Sequence, residues 1–142
     1  MANIVQPLYE DNHLLIVNKP SGLLVQGDAT GDKTLLDHCK EYIKEKYDKP
    51  GKVFLHPVHR LDRPVSGALV FARTSKGLER MNKIFATRKI QKIYWAVVKS
   101  RPSPQRGKLV SWLKKDGEKN KVTAYAEPIE GAQKAETNFR VM

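Results

Sequence analysis

A single cysteine, Cys39, in 142 residues excludes an intramolecular disulfide. No apolar run approaches the roughly 20 residues that a membrane helix needs, and the first residues carry no apolar signal segment. Both absences predict a reducing cytoplasm and no membrane. The glycines are dispersed: Gly22, Gly27 and Gly31 fit neither the dinucleotide-binding nor the P-loop spacing, so no phosphate-cradling loop and no nucleotide cofactor is implied. No Gly/Ser linker, low-complexity stretch or internal repeat divides the chain, which predicts one domain over residues 1–142. Acidic side chains are scarce, 15 against 26 Lys and Arg, leaving a formal net charge of +11.

That surplus is local. Residues 1–72 balance nine basic against nine acidic side chains, residues 73–121 hold fifteen against three, and residues 122–142 hold two against three. A surplus of this size points to a polyanionic partner. Phe85, Tyr94, Trp95 and Trp112 interleave the basic segment, the mix expected where phosphates are neutralised and bases stacked. A solvated lysine-rich face gives the same count, and some of these aromatics belong to a core.

Periodicity predicts an α+β domain with a mixed, mostly antiparallel sheet and helices packed on it. Leu14 to Asn18 reads as a buried strand, Lys19-Pro20-Ser21-Gly22 as a turn, and Leu23 to Val25 as a second short strand. Thr34 and Asp37 form a capping-box pattern ahead of Leu35, Leu36, Cys39, Tyr42 and Ile43, a helix stopped by Asp48-Lys49-Pro50-Gly51. Cys39 then lies on the apolar face as a small hydrophobe. Strands are expected at Val53 to Leu55 and at Ala68 to Ala72. A helix capped by Thr74 or Ser75 carries Leu78, Met81, Ile84 and Phe85 as its apolar stripe. Ile93 to Val98 has strand propensity, Lys108 to Leu113 and Lys121 to Tyr125 flank an Asp116-Gly117 turn, and a last strand covers Glu136 to Val141.

Chemistry concentrates in His56-Pro57-Val58-His59-Arg60-Leu61-Asp62-Arg63-Pro64-Val65-Ser66-Gly67. Asp62 sits between two arginines, whose charges favour its ionised form and suit it to act as nucleophile or base. A structural loop closed by Pro64 and Gly67 is the competing reading. His56, His59 and Asp62 also make a metal-ligand set, but Pro57 argues against a helix aligning them and two arginines repel a cation. A Ser66-His59-Asp62 hydrolase lacks the nucleophile-elbow pattern around Ser66.

The whole string resembles the His-Arg-Leu-Asp signature of RluA-type RNA pseudouridine synthases, members of the RsuA/RluA superfamily. Two further segments resemble that family in the same order: Leu15-Ile16-Val17-Asn18-Lys19-Pro20-Ser21-Gly22-Leu23 and Lys92-Ile93-Tyr94-Trp95-Ala96-Val97-Val98. The resemblance implies a pseudouridine synthase catalytic domain that converts uridine in ribosomal or transfer RNA to its C-glycoside isomer, with no metal or cofactor. It implies Asp62 as the catalytic aspartate and Tyr94 as the tyrosine that stacks on the flipped-out base. His59, Arg60, Arg63 and Lys92 are then expected to face RNA. Val65 stands where relatives often carry Thr, so a hydroxyl beside the aspartate loop is absent. No Gly-Arg-Thr-His-Gln-Ile-Arg-like motif is found, so the catalytic domain is expected to be C-terminally incomplete, without an N-terminal RNA-binding module. An exposed sheet edge, and with it self-association, is the expected consequence. The rival functions are a noncatalytic RNA-binding fragment, which does not need Asp62, and a metal-dependent phosphoesterase, which a chelator would silence.

Overall fold

The fold was described from a computed structural model, for residues 4–27, 31–118 and 121–142. Its elements are β1 (Pro7–Glu10), β2 (Leu14–Lys19), α1 (Leu35–Lys46), β3 (His56–Pro57), β4 (Gly67–Ala72), α2 (Ser75–Ala86), β5 (Arg106–Asp116), β6 (Lys121–Tyr125) and β7 (Gln133–Arg140). They group into two compact units, residues 1–92 and 93–142. The α+β class is borne out, with every strand pairing antiparallel.

In the first unit the strand order is β1-β2-β4-β3. Residues two apart on a strand share a face, so β2 turns Leu15, Val17 and Lys19 inward, and β4 turns Leu69 and Phe71 to meet them. Leu35, Cys39 and Ile43, one stripe of α1, join this core with Val5, Val25 and Leu55. Burial pushes the Cys39 thiol up to about 12, so it remains a protonated hydrophobe, as its place on the helix predicts. Thr34 and Asp37 form the reciprocal capping box read from the sequence. Glu10, at the end of β1, accepts from Tyr42 at 2.9 Å, Lys46 at 2.7 Å and Tyr47 at 2.6 Å, and pairs with Arg73 at 3.1 Å. These contacts tie α1 to the segment leaving β4, and together they hold the Glu10 carboxyl below its ordinary range despite its burial.

Helix α2 is capped by Thr74, whose hydroxyl accepts from the Gly77 N–H at 3.0 Å. The second unit is a three-stranded sheet in the order β6-β5-β7. The Asp116-Gly117 hairpin and the last strand are therefore present, the latter beginning three residues earlier than expected.

Three strand expectations are corrected. Leu23 to Val25 is not a strand: the Leu24 and Val25 carbonyls accept from the Leu35 and Leu36 N–H groups, so they serve the start of α1 instead of a ladder. The expected strand at Val53 to Leu55 forms only at His56–Pro57, since Leu55 drops into the core and Phe54 packs on the His56 ring at 4.6 Å. Ile93 to Val98 is irregular, with Trp95 83% exposed. Strand propensity needs a neighbouring ladder to become a strand, and no described strand pairs with this segment. Conversely, β1 went unread because four residues beginning with proline carry too little alternation.

Candidate active site around Asp62

The inward face of β2 ends on a charge. Lys19 is fully buried, and its ammonium donates to the carbonyls of Pro20 at 3.0 Å, Arg63 at 3.1 Å and Val65 at 2.7 Å. Three N–H donors meet three acceptors, so the buried cation is fully satisfied. Burial lowers the Lys19 pKa, opposed by the negative charge of Asp62.

Its neighbours complete the clamp. The Ser21 hydroxyl donates to the Pro64 carbonyl at 2.7 Å, and the Gly22 N–H donates to the Arg63 carbonyl at 2.8 Å. Arg63 Nε returns a bond to the Gly22 carbonyl at 3.0 Å. Segment 19–22 thus holds the backbone of residues 63, 64 and 65 from below. The Val65 N–H closes the turn on the Asp62 carbonyl at 3.0 Å. Opposite Lys19 in the ladder stands Gly67, at φ 133°, a conformation that side chains rarely adopt and that lets the chain leave the turn directly into β4.

The other side of the loop hangs on His59. After His56 and Pro57 pair with Ala72 and Phe71, the Val58 N–H donates to the Val70 carbonyl at 2.9 Å. The Val70 N–H then donates to Nε2 of His59 at 3.2 Å, and the ring stacks on Phe85 of α2 at 5.1 Å. The imidazole replaces a backbone acceptor where the chain departs from the ladder. Because Nε2 accepts, the proton of the neutral ring sits on Nδ1. Burial lowers the His59 pKa, and the charge of Lys92 lowers it further.

A depressed histidine pKa means that the unfolded chain takes up protons first, so stability present above about pH 6.5 is lost as pH falls through the folded-state value. We expect His59→Gln, which keeps an acceptor but does not titrate, to flatten the decline of the urea midpoint from about pH 7 to about pH 5. An unchanged slope would show that other groups cause it.

Asp62 itself is exposed, and among the described residues its carboxylate makes no hydrogen bond or ion pair. Arg60 is likewise exposed and without an ion pair among the described residues. Arg63 differs: its guanidinium pairs with Asp32 at 3.0 Å besides holding Gly22. Asp62, Arg60, Arg63, His59 and Lys92 belong to the first unit, whereas Tyr94, 61% exposed, belongs to the second. Sequence reasoning read Lys19 to Gly22 as a turn and missed its grip on the aspartate loop. The available signal was a lysine on the same strand face as Leu15 and Val17. Among the described residues no three His, Cys, Asp or Glu side chains gather as metal ligands, His56, His59 and Asp62 included.

A carboxylate offered to solvent on a clamped turn matches the family signature read from the sequence. The family model described as RNA pseudouridylate synthase matches residues 13–142. The chain belongs to this family. It is 36% identical over 102 residues to the mitochondrial pseudouridylate synthase RPUSD4 of Xenopus tropicalis, covering 72% of this chain and 31% of that protein. It is 35% identical over 134 residues to the ribosomal large subunit pseudouridine synthase C of Buchnera aphidicola, covering 94% of this chain and 40% of that protein. The solved human RNA pseudouridylate synthase domain containing 4 superposes with a TM-score of 0.75 at 26% identity, covering 94% of this chain and 52% of that one. The chain therefore spans between about a third and half of the length of these pseudouridine synthase relatives. The pseudouridine synthase fold expected from the sequence is borne out, and among the described residues no helix is long and apolar enough to cross a membrane.

Proposed function

We propose that this chain acts as an RNA pseudouridine synthase, isomerising uridines of ribosomal or transfer RNA, with Asp62 as its catalytic residue. The observation that carries the reading is the contrast at the loop: an exposed carboxylate on a turn whose three following carbonyls are all held. Rigid support under a reactive group is what catalysis requires. In the isomerisation the bond from the sugar to N1 of uracil breaks and a bond from the same sugar carbon to C5 forms, with a proton leaving C5 and one gained at N1. A carboxylate suits each candidate step, whether attack on the sugar, addition to the ring, or stabilisation of charge as the base departs.

The target nucleotide must leave its stack, at a cost of a few kcal/mol. Tyr94 is assigned to stack on the extruded base, and Arg60, exposed and without an ion pair among the described residues, to contact phosphate or fill the vacated space. Lys92 is assigned to phosphate. His59 and Arg63 serve the RNA site through the loop they hold, since Nε2 of one and Nε of the other are engaged with backbone. No metal or cofactor enters this chemistry. The family model runs across both units, which supports placing them in one catalytic domain. The compartment assigned is the cytoplasm, on the reduced and buried Cys39. Self-association is assigned to an exposed sheet edge, for which β6 and β7, the outer strands of the second sheet, are candidates.

Bulk cellular RNA treated with the chain should gain pseudouridine, and a chelator should leave the yield unchanged. RNA cleavage without pseudouridine, silenced by the chelator, would favour the metal-dependent phosphoesterase. RNA binding without any product would favour the noncatalytic alternative.

A further inference from the structure

Cross-strand register sorts the side chains of the second sheet into two unlike faces. On one face Gly107, Leu109, Ser111 and Leu113 of β5 stand opposite Phe139, Thr137, Ala135 and Gln133 of β7. On the other, the direct pairs are Arg106 with Arg140, Lys108 with Asn138, Val110 with Glu136 and Trp112 with Lys134. Across β6 the same face continues as Trp112 with Tyr125, Lys114 with Thr123 and Asp116 with Lys121. Six cations therefore share one face of three strands with two carboxylates.

The carboxylates do not neutralise it. Glu136 bonds both Lys108 at 2.8 Å and Lys134 at 2.7 Å, which drives its carboxyl down to about 2. That leaves Arg106 directly opposite Arg140, with no ion pair for either among the described residues. Like charges in register destabilise a sheet. A solvated face would place an acid there, whereas a face that meets a polyanion keeps two guanidinium forks side by side. Between this pair and the cations of the far end lies the aromatic pair Trp112–Tyr125, with Tyr125 38% exposed. Cations flanking stacked rings are the arrangement that tracks a nucleic-acid backbone while accepting bases of any sequence.

We propose that this face is an RNA-docking surface, which holds backbone phosphate at Arg106 and Arg140 and stacks a base on the Trp112–Tyr125 pair. It rests on the reading of RNA as the substrate and assigns this sheet a role separate from the chemistry at Asp62. RNA is favoured over an acidic protein because an acidic peptide has no use for the aromatic pair.

The test is anisotropy of a labelled uridine-rich RNA of about twenty nucleotides, titrated with the whole chain over a range of salt. Each lost phosphate contact lowers the slope of log affinity against log salt by about 0.7 for a single strand. Arg106→Gln/Arg140→Gln should therefore lower it by about 1.4, and Arg106→Lys/Arg140→Lys should restore it. Tyr125→Ala should weaken binding about tenfold, with Tyr125→Phe near the parent value. Removing two exposed lysines elsewhere, Lys49→Gln/Lys52→Gln, should change the slope by less than half as much. An unchanged slope in the arginine double variant, an equal loss in the lysine control, or polyglutamate bound as tightly as RNA overturns the proposal. Pseudouridine formation is read in the same samples. Product with unaltered RNA affinity in the arginine variant sinks this surface and leaves the synthase reading standing, whereas neither binding nor product sinks both.

Discussion

Asp62→Asn is expected to abolish pseudouridine formation, by about a thousandfold or more, while leaving the folded state almost untouched. The change is nearly isosteric and removes only the charge. Asp62 is exposed, its carboxylate makes no hydrogen bond or ion pair among the described residues, and the bond that closes the turn uses its backbone carbonyl. A substitution at such a site stays within about 0.5 kcal/mol of neutral. Its negative charge favours the charged form of Lys19, an influence that works across the turn without contact. Activity and stability should thus separate: product yield falls, the urea midpoint holds, and RNA affinity stays within a few fold. A variant that retained even a tenth of the product would remove Asp62 from the chemistry. A variant that unfolded would instead make it a structural loop residue, the competing reading of an Arg-Leu-Asp-Arg turn closed by proline and glycine.

The aspartate loop was legible because its signals are local. Charge, proline and glycine sit within a dozen residues, and both helices were legible for the same reason, their caps and apolar stripes lying within a few turns. What the sequence hid depends on residues far apart. Lys19 reaches carbonyls 44 and 46 positions away, and its place on the face of Leu15 and Val17 says that it turns inward but not which groups it meets there. His59 looked free to meet RNA, yet its ring serves Val70, 11 residues on, because the β3–β4 ladder runs out of backbone acceptors at that point. Ile93 to Val98 failed in the opposite sense: apolar and β-branched residues fitted a strand, but strand formation is a property of a pair.

Lys19→Met is expected to destabilise the chain by about 2–4 kcal/mol and to lower the turnover rate about a hundredfold. Methionine is close to lysine in length and suits a buried position, but it leaves the carbonyls of Pro20, Arg63 and Val65 without their donor. Each bond to a charged group contributes about 1.5–3 kcal/mol. The sum is not reached, because residues 20, 63 and 65 lie at the surface and water can reclaim part of what is lost. The fall in rate follows from position, since a turn freed on its inner side lets the Asp62 carboxylate wander by the fraction of an ångström that productive alignment forbids. RNA affinity should change far less than the maximal rate, because the phosphate contacts proposed above fall on exposed cations elsewhere. Ser21→Ala should act in the same direction more weakly, and the two changes should not add, since both release the turn at residues 63–65. A Lys19→Met chain with the parent's urea midpoint and full turnover would show that Ser21, Gly22 and Arg63 hold the loop without the buried ammonium. Additive losses would mean that the two side chains support separate features.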